Sequence, residues 1–425
     1  MISGLKSRTL RWLAGAGLAV AGMAMVAVPG AQAQDKQPIK IGLSMALTGP
    51  LAANGKQALL GAKIWEEETN KKGGLLGRPV KLVFYDDQSN ASTVPGIYTK
   101  LLDVDKVELV IGPYATAMIA PAMPVVISKK KMFIGLFGLA VNSKFKYDRY
   151  FAMIPSGPDT KPAFTAGFFD AAAKQSPKPT TVALAWSDLE FSKNACEGAR
   201  SNAKKHGFKI IYDKSYPGNT TDFTPIVRAL QSANPDVVAL CSYPLDAVGM
   251  TLAINELGYK PKMVGGAMVG LQATVFKQKL GPALNGIVNY ETWVPAMSTP
   301  ESDAFLKQYQ ARAGEEKVDP LGYYLGTWGY AYLEVLAAAV NGTKSIDDAK
   351  LAAWLHKNPA KTIMGEIRFG KDGEWTKSGM LQVQYHDVKG SDLDQFKGMS
   401  TQTIVAGPAG VKTGDLIYPY EKAKK

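Results

Sequence analysis

Short apolar runs alternate with amphipathic stretches along most of this chain, and that order restricts the fold more than any other feature. "IKIGLSM" (39–45) has the length and composition of a buried strand, and "KQALLGAKIWEEETNKKGG" (56–74) has helical periodicity. Gly73-Gly74 stops this helix behind two lysines, which suit a helix C-terminus. "PVKLVFYDD" (79–87), "VELVIG" (107–112) and "MFIGLFG" (132–138) supply three more strands with helical segments between them. Strands joined through helices run parallel, so the order predicts a parallel sheet covered on both faces.

A second series begins near Ala152. Its strands are "TTVALAWSD" (180–188), "FKIIYDKSY" (208–216), "DVVALCSY" (236–243) and "KMVGGAM" (262–268), again separated by helices. From "GIVNYETWVP" (286–295) helix dominates, notably in "DPLGYYLGTWGYAYLEVLAAAVNG" (319–342). "GEIRFGKDGEWTKSGMLQVQYHD" (365–387) reads as a hairpin turning at Lys371, Asp372 and Gly373. A chain of 425 residues exceeds what one core holds, so two α/β lobes with a returning chain are expected.

The first 33 residues read as a targeting segment. Lys6, Arg8 and Arg11 precede an apolar stretch at 12–28, and Ala31-Gln32-Ala33 is an A-x-A cleavage site. Cleavage after Ala33 and export as a soluble protein are expected. The formal charge of +12 loses three basic residues with this segment, and the remainder is spread along the chain. No basic run interleaved with aromatics is present, so nucleic acid is not an expected partner. Cys196 and Cys241 are bound for an oxidising compartment, where they either pair or stay as two buried thiols.

Catalytic motifs are missing. The sequence contains no G-x-S-x-G, no G-x-x-x-x-G-K-S/T and no H-E-x-x-H. His206, His356 and His386 stand far apart, and Asp86 and Asp87 are neighbours on a strand, where side chains point to opposite faces. No enzyme activity, cofactor or metal is expected.

What the sequence does offer is a set of loops at the carboxyl ends of strands, where open α/β sheets bind ligands on free helix amides. In the first series these are "TGPLAANG" (48–55) with Asn54, "GPYATA" (112–117) with Tyr114, Ala115 and Thr116, and "GLFGLA" (135–140) with Phe137, Gly138 and Leu139. The second series offers "SDLEFSKN" (187–194) with Phe191, "SYPLDA" (242–247) with Tyr243, and "GAMVG" (266–270) with Ala267 and Met268. Tyr114, Thr116, Phe137, Phe191 and Tyr243 come from corresponding edges of two lobes, which points to a shared cleft. Pro121 and Pro124 fall in the helix after "GPYATA", so Pro124 is expected to delay or bend it. The anion site then depends on loop amides and Thr116 more than on a regular helix.

The order and spacing of "IKIGLSMALTGPLAANGKQALLGAKIWEEETNKKGGLLGRPVKLVFYDDQSN", "VELVIGP" and "NPDVVAL" resemble the leucine/isoleucine/valine-binding proteins, periplasmic solute receptors of ABC importers. The resemblance runs from Ile39 to beyond Gln384. It implies two Rossmann-like lobes with parallel sheets, joined by a three-strand hinge that closes on a ligand in the cleft. Lobe 1 is expected at 38–156 plus 290–367, and lobe 2 at 157–289 plus 368–420. A membrane permease partner, a monomeric state and no catalysis are also implied.

Carried over residue by residue, the hydroxyl that holds the ligand carboxylate in this family falls at Thr116. The aromatic closing from the second lobe falls at Phe191, with another near Tyr243. Two positions depart from the family pattern. Leu139 stands where amino-acid-binding members carry Thr, and Ala267 or Met268 where they carry the acid that pairs an α-ammonium. A buried ammonium without a carboxylate costs several kcal/mol. The expected ligand is therefore a small organic acid without an α-amine, aromatic in the first place. Asp188, Glu190 or Asp246 would supply an acid by another route, which keeps branched-chain or other amino acids as the alternative. A ligand-sensing receptor subunit is a further alternative.

Overall fold

The computed structural model describes residues 37–424; the targeting segment read at 1–33 lies outside them. The first lobe opens with β1 (Ile39–Met45), α1 (Ala52–Lys71), β2 (Val80–Asp86), α2 (Val94–Asp103), β3 (Leu109–Val110), α3 (Thr116–Ser128), β4 (Phe133–Gly135), α4 (Val141–Phe145) and β5 (Tyr150–Ala152). β1 pairs in parallel with β2 on one side and β3 on the other. β4 pairs in parallel with β5. Gly112 joins these two small sheets, because its N–H donates to the Ile134 carbonyl at 2.8 Å. A Cβ at Gly112 would lie 2.8 Å from the Gly135 Cα, so only glycine lets the two strand exits run this close.

The second lobe follows as α5 (Thr160–Ala173), β6 (Thr181–Ser187), α6 (Glu190–Lys205), β7 (Lys209–Tyr216), α7 (Thr224–Ala233), β8 (Val237–Ser242), α8 (Pro244–Glu256), β9 (Met263–Met268), α9 (Thr274–Leu280) and β10 (Val288–Glu291). The chain then returns through α10 (Pro300–Glu316), α11 (Leu325–Thr343), α12 (Asp348–Leu355), β11 (Ala360–Thr362) and β12 (Gly365–Ile367), and ends with β13 (Leu381–Tyr385) and β14 (Gln402–Ala406). One seven-stranded sheet has the order β14-β13-β10-β9-β8-β6-β7. It is parallel from β7 to β10 and antiparallel at β13 and β14.

α11 completes the first lobe by packing on α1. Cβ atoms at Gly61 and Gly329 would sit 2.2 Å from the Gly326 carbonyl oxygen and 2.3 Å from that of Ala58, so the two helices meet backbone to backbone. The chain passes between the two sheets three times, at 152–160, 291–300 and 367–381. The first and third passages run side by side. Ala152 N–H donates to the Gly373 carbonyl at 2.9 Å, Trp375 Nε1 to that of Ala152 at 3.0 Å, and Gly379 N–H to that of Pro155 at 2.8 Å.

Two local expectations change. The hairpin at 365–387 forms only around its turn, where Phe369 and Trp375 bridge antiparallel. β12 pairs with β11, and β13 leaves for the other sheet beside β10. Alternating apolar residues specify strands but not their partners. α3 starts at Thr116 without delay and carries both prolines inside it. Pro124 is exposed and Pro121 half-buried, and the carbonyls they leave without donors belong to half-exposed Ala117 and Ala120, within reach of water. Met118, Ile119, Ala122, Met123 and Val126 bury the opposite side of the helix.

Candidate functional site

The strand exits of both lobes converge on a small cavity. It is lined by Tyr114, Ala115 and Thr116 at the start of α3, Phe137 after β4, Ile154 in the first passage, and Tyr324 before α11. From the other lobe come Phe191 on α6, Tyr243 before α8, Val269 after β9 and Tyr290 on β10. The enclosed space is about 10 Å³, close to the threshold for one water molecule. A wider groove of about 680 Å³ runs along α5 and the exit of β14, but it gathers none of the strand-exit loops of the first lobe.

Backbone strain sets up the wall at α3. Ala115 has φ of 79° and ψ of 147°, a region that glycine occupies and alanine avoids. Its N–H donates to the Leu136 carbonyl at 3.0 Å, and its own carbonyl accepts from Met118 and Ile119 at 3.0 and 2.9 Å. The first amides of α3, on Thr116 and Ala117, have no intrahelical acceptor and mark the positive end of the helix. Thr116 Oγ1 accepts from the Leu139 N–H at 2.9 Å, which fixes the hydroxyl and leaves its proton to be donated.

Hydroxyls line the rest of the box. Asn54 is fully buried behind Tyr114 and donates from Nδ2 to its hydroxyl at 2.9 Å. Burial pushes the Tyr114 phenol up to about 12, with Asn54 opposing, so it stays a neutral donor. The hydroxyls of Tyr290 and Tyr324 lie 3.2 Å apart. Phe137 packs edge-on against Tyr324 and Trp328, with centroids 5.5 and 5.4 Å away. Phe191 packs in the same way on Phe164 and Tyr243, at 5.2 and 5.7 Å. The Tyr243 hydroxyl is buried without a hydrogen-bond partner, and it faces the Phe191 and Ala117 amides, one from each lobe.

Tyr114, Ala115, Thr116, Phe137, Phe191 and Tyr243 thus share one cavity wall, and the other sequence candidates stand off it. Asn54 acts through Tyr114. Leu139 is fully buried and reaches the site only through its amide on Thr116. Gly138 lies against the Tyr150 hydroxyl, which is 2.7 Å from where a Cβ would be. Ala267 and Met268 are fully buried, and the Met268 amide and carbonyl clamp the Asn289 side chain at 2.9 and 2.8 Å. Val269 takes their place at the cavity.

No acid replaces the missing one. Asp246 is buried, but its carboxylate accepts from the Tyr243 N–H at 3.2 Å and the Tyr216 hydroxyl at 3.1 Å, and burial pushes its pKa up. Asp188 accepts from the Gly218 N–H at 2.7 Å, and Glu190 is exposed. None of the three lines the cavity. Sequence reading missed Ile154, Val269, Tyr290 and Tyr324 as lining residues. Tyr290 lies inside β10 rather than beyond its end, so the strand-exit rule does not reach it; Tyr324 and Ile154 depend on how the chain returns.

A two-lobed α/β protein with its cavity at facing strand exits is built as a binding protein. Residues 38–389 match the periplasmic binding protein family, and the chain belongs to it. It is 27% identical over 386 residues to Leu/Ile/Val-binding protein homolog 7 of Brucella abortus, covering 86% of this chain and 94% of that one. An amino acid binding protein of Pseudomonas aeruginosa is 25% identical over 370 residues, covering 86% and 93%. Among solved structures, a leucine-binding protein of Thermotoga maritima superposes with a TM-score of 0.71 at 20% identity, over 83% of this chain and 96% of that one. A solute-binding protein of an ABC transporter from Rhodopseudomonas palustris, solved with p-hydroxybenzoic acid, gives a TM-score of 0.72 at 20% identity, over 84% and 95%. At such identities the structures share the fold.

Proposed function

We propose that the chain is the exported solute receptor of an ABC importer, and that it captures a small aromatic or other organic acid without an α-amine. The observation that carries this reading is the cavity wall, which combines aromatic rings, hydroxyls and a helix N-terminus with no carboxylate. A ligand carboxylate fits on the Thr116 hydroxyl and the first amides of α3, where charge-assisted hydrogen bonds form. The space now holds about one water, so a flat ring would enter between Phe137 on one lobe and Phe191 with Tyr243 on the other only as the lobes part about the three passages. Two Rhodopseudomonas palustris neighbours in complex with p-hydroxybenzoic acid and 3,4-dihydroxybenzoic acid support an acid of this kind within the shared fold.

The lobe division at 38–156 plus 290–367 and 157–289 plus 368–420 belongs to the same proposal, as do cleavage after Ala33, a periplasmic location, a monomer and a membrane permease partner. The three passages support the division, and the place of β10 in the second sheet favours drawing one boundary after Glu291. The second reading, branched-chain or other amino acids, draws on the relatives named for Leu, Ile and Val. It requires an acid for the ammonium, and none lines the cavity.

Thermal-shift and calorimetric screening with benzoate, 4-hydroxybenzoate, cinnamate, leucine and isoleucine tests the choice. The aromatic acids are expected to stabilise the protein and the amino acids are not. Strong stabilisation by leucine with none by the aromatic acids would falsify the assignment. Comparing uptake with signalling in a deletion strain separates a transport receptor from a sensor.

A further inference from the structure

Two reactive side chains lie behind the ligand wall, outside the cavity. On β8, Val237, Ala239 and Cys241 face the core that also holds Cys196, and Val238 and Leu240 face the opposite one. α6 packs across the Cys241 face, so Cys196 on α6 and Cys241 on β8 meet in one layer. Both are fully buried free thiols. Burial pushes the Cys196 thiol well up, and the neighbouring Cys241 sulfur pushes it further the same way. The same two elements carry one edge of the ligand wall. Phe191 is on α6 and Tyr243 follows β8, and their rings touch edge to face at 5.7 Å.

We propose that Cys196 and Cys241 form a disulfide that ties α6 to β8 and so fixes the spacing of Phe191 and Tyr243. The step is thiol–disulfide exchange. One thiolate attacks a small-molecule or protein disulfide to give a mixed disulfide and a first released thiol, and the second cysteine then displaces the remaining half as another thiol. The two cysteines lose two protons and two electrons, and the oxidant takes up both. Exchange needs the thiolate, which burial disfavours, so the bond forms in the folding chain before α6 covers β8. Once the lobe is folded, either redox state is shielded from small reagents.

The consequence for binding rests on the ligand reading above, but the bond itself is read independently of any ligand. The mature chain is refolded from guanidinium with oxidised and reduced glutathione, freed of glutathione, and then unfolded in guanidinium that contains excess alkylating agent, so that buried free thiols are labelled as they emerge. The expected result is no alkylated thiol, a mass two hydrogens below the reduced chain and a peptide linking Cys196 to Cys241. Cys196→Ala and Cys241→Ala should each leave one alkylated thiol. Reduction before refolding should lower the thermal midpoint by roughly 5 °C and speed 4-hydroxybenzoate dissociation several-fold. Two alkylated thiols in the refolded wild type, or links only between chains, overturn the disulfide. A linked chain whose 4-hydroxybenzoate dissociation ignores reduction overturns the spacing role. If neither form binds 4-hydroxybenzoate, the ligand assignment fails and the thiol count still decides the bond.

Discussion

On the proposed reading Thr116 would serve two partners with one hydroxyl. Its oxygen accepts from the Leu139 amide, and its proton is free for a ligand oxygen. Thr116→Ala removes the donor and also strands a buried N–H, a loss of roughly 1–3 kcal/mol in stability. The same change is expected to weaken binding of an aromatic acid about 10- to 100-fold by calorimetry. Thr116→Ser should stay within a few-fold of wild type, and equal affinity in all three proteins would take this residue out of the site. Ala115 offers a separate test. Its backbone strain costs about 1–3 kcal/mol, and a glycine there gives back roughly 0.5–1 kcal/mol in entropy. Ala115→Gly should therefore raise stability by about 1 kcal/mol in urea denaturation, and a lower midpoint would show that the conformation is relaxed.

At the scale of elements, the paired passages hold a buried acid that should make stability depend on pH. Glu374 lies in the third passage, beside the first, with both carboxylate oxygens buried and no hydrogen-bond partner. Burial raises its pKa from 4.5 to about 8, with Asp372 pushing the same way. The folded chain keeps this proton between those values while the unfolded chain releases it. Stability should therefore fall as pH rises from 4.5 to about 8 and then level off, by at most about 5 kcal/mol. Glu374→Gln should flatten that slope; parallel profiles for the two proteins in urea would mean that the carboxylate is hydrated when folded.

Sequence periodicity announces most strands and helices, because burial on one face or both is a local pattern. Pairing is not local, and the partners of β12 and β13 lay beyond reach for that reason. The site divides along the same line. Tyr114, Thr116, Phe137, Phe191 and Tyr243 sit just after strands, where one rule finds them. Ala267 and Met268 lie one or two residues before Val269, which lines the cavity. β9 stays in register with β8 through Met268, and Val269 is the first residue beyond the strand.

For the molecule as a whole, the cavity draws on both lobes and on the first passage, so a ligand bound there as proposed is expected to stabilise both halves at once. An acid at a hundred times its dissociation constant should add about 2.7 kcal/mol to unfolding, an increment that calorimetry reads directly.

The packing of α1 on α11 also has a consequence in time. Tyr330 on α11 donates to Glu68 on α1 across 262 positions of chain. A ribosome finishes five of the second sheet's seven strands, β6 to β10, before it makes the helix that seals the first lobe. Until then the face of α1 that packs on α11 stays uncovered, and completion of the lobe waits on a late, long-range contact. If the proposed export carries the chain across the membrane unfolded, this delay is an advantage, because the N-terminal lobe is not complete before α11 has been synthesised.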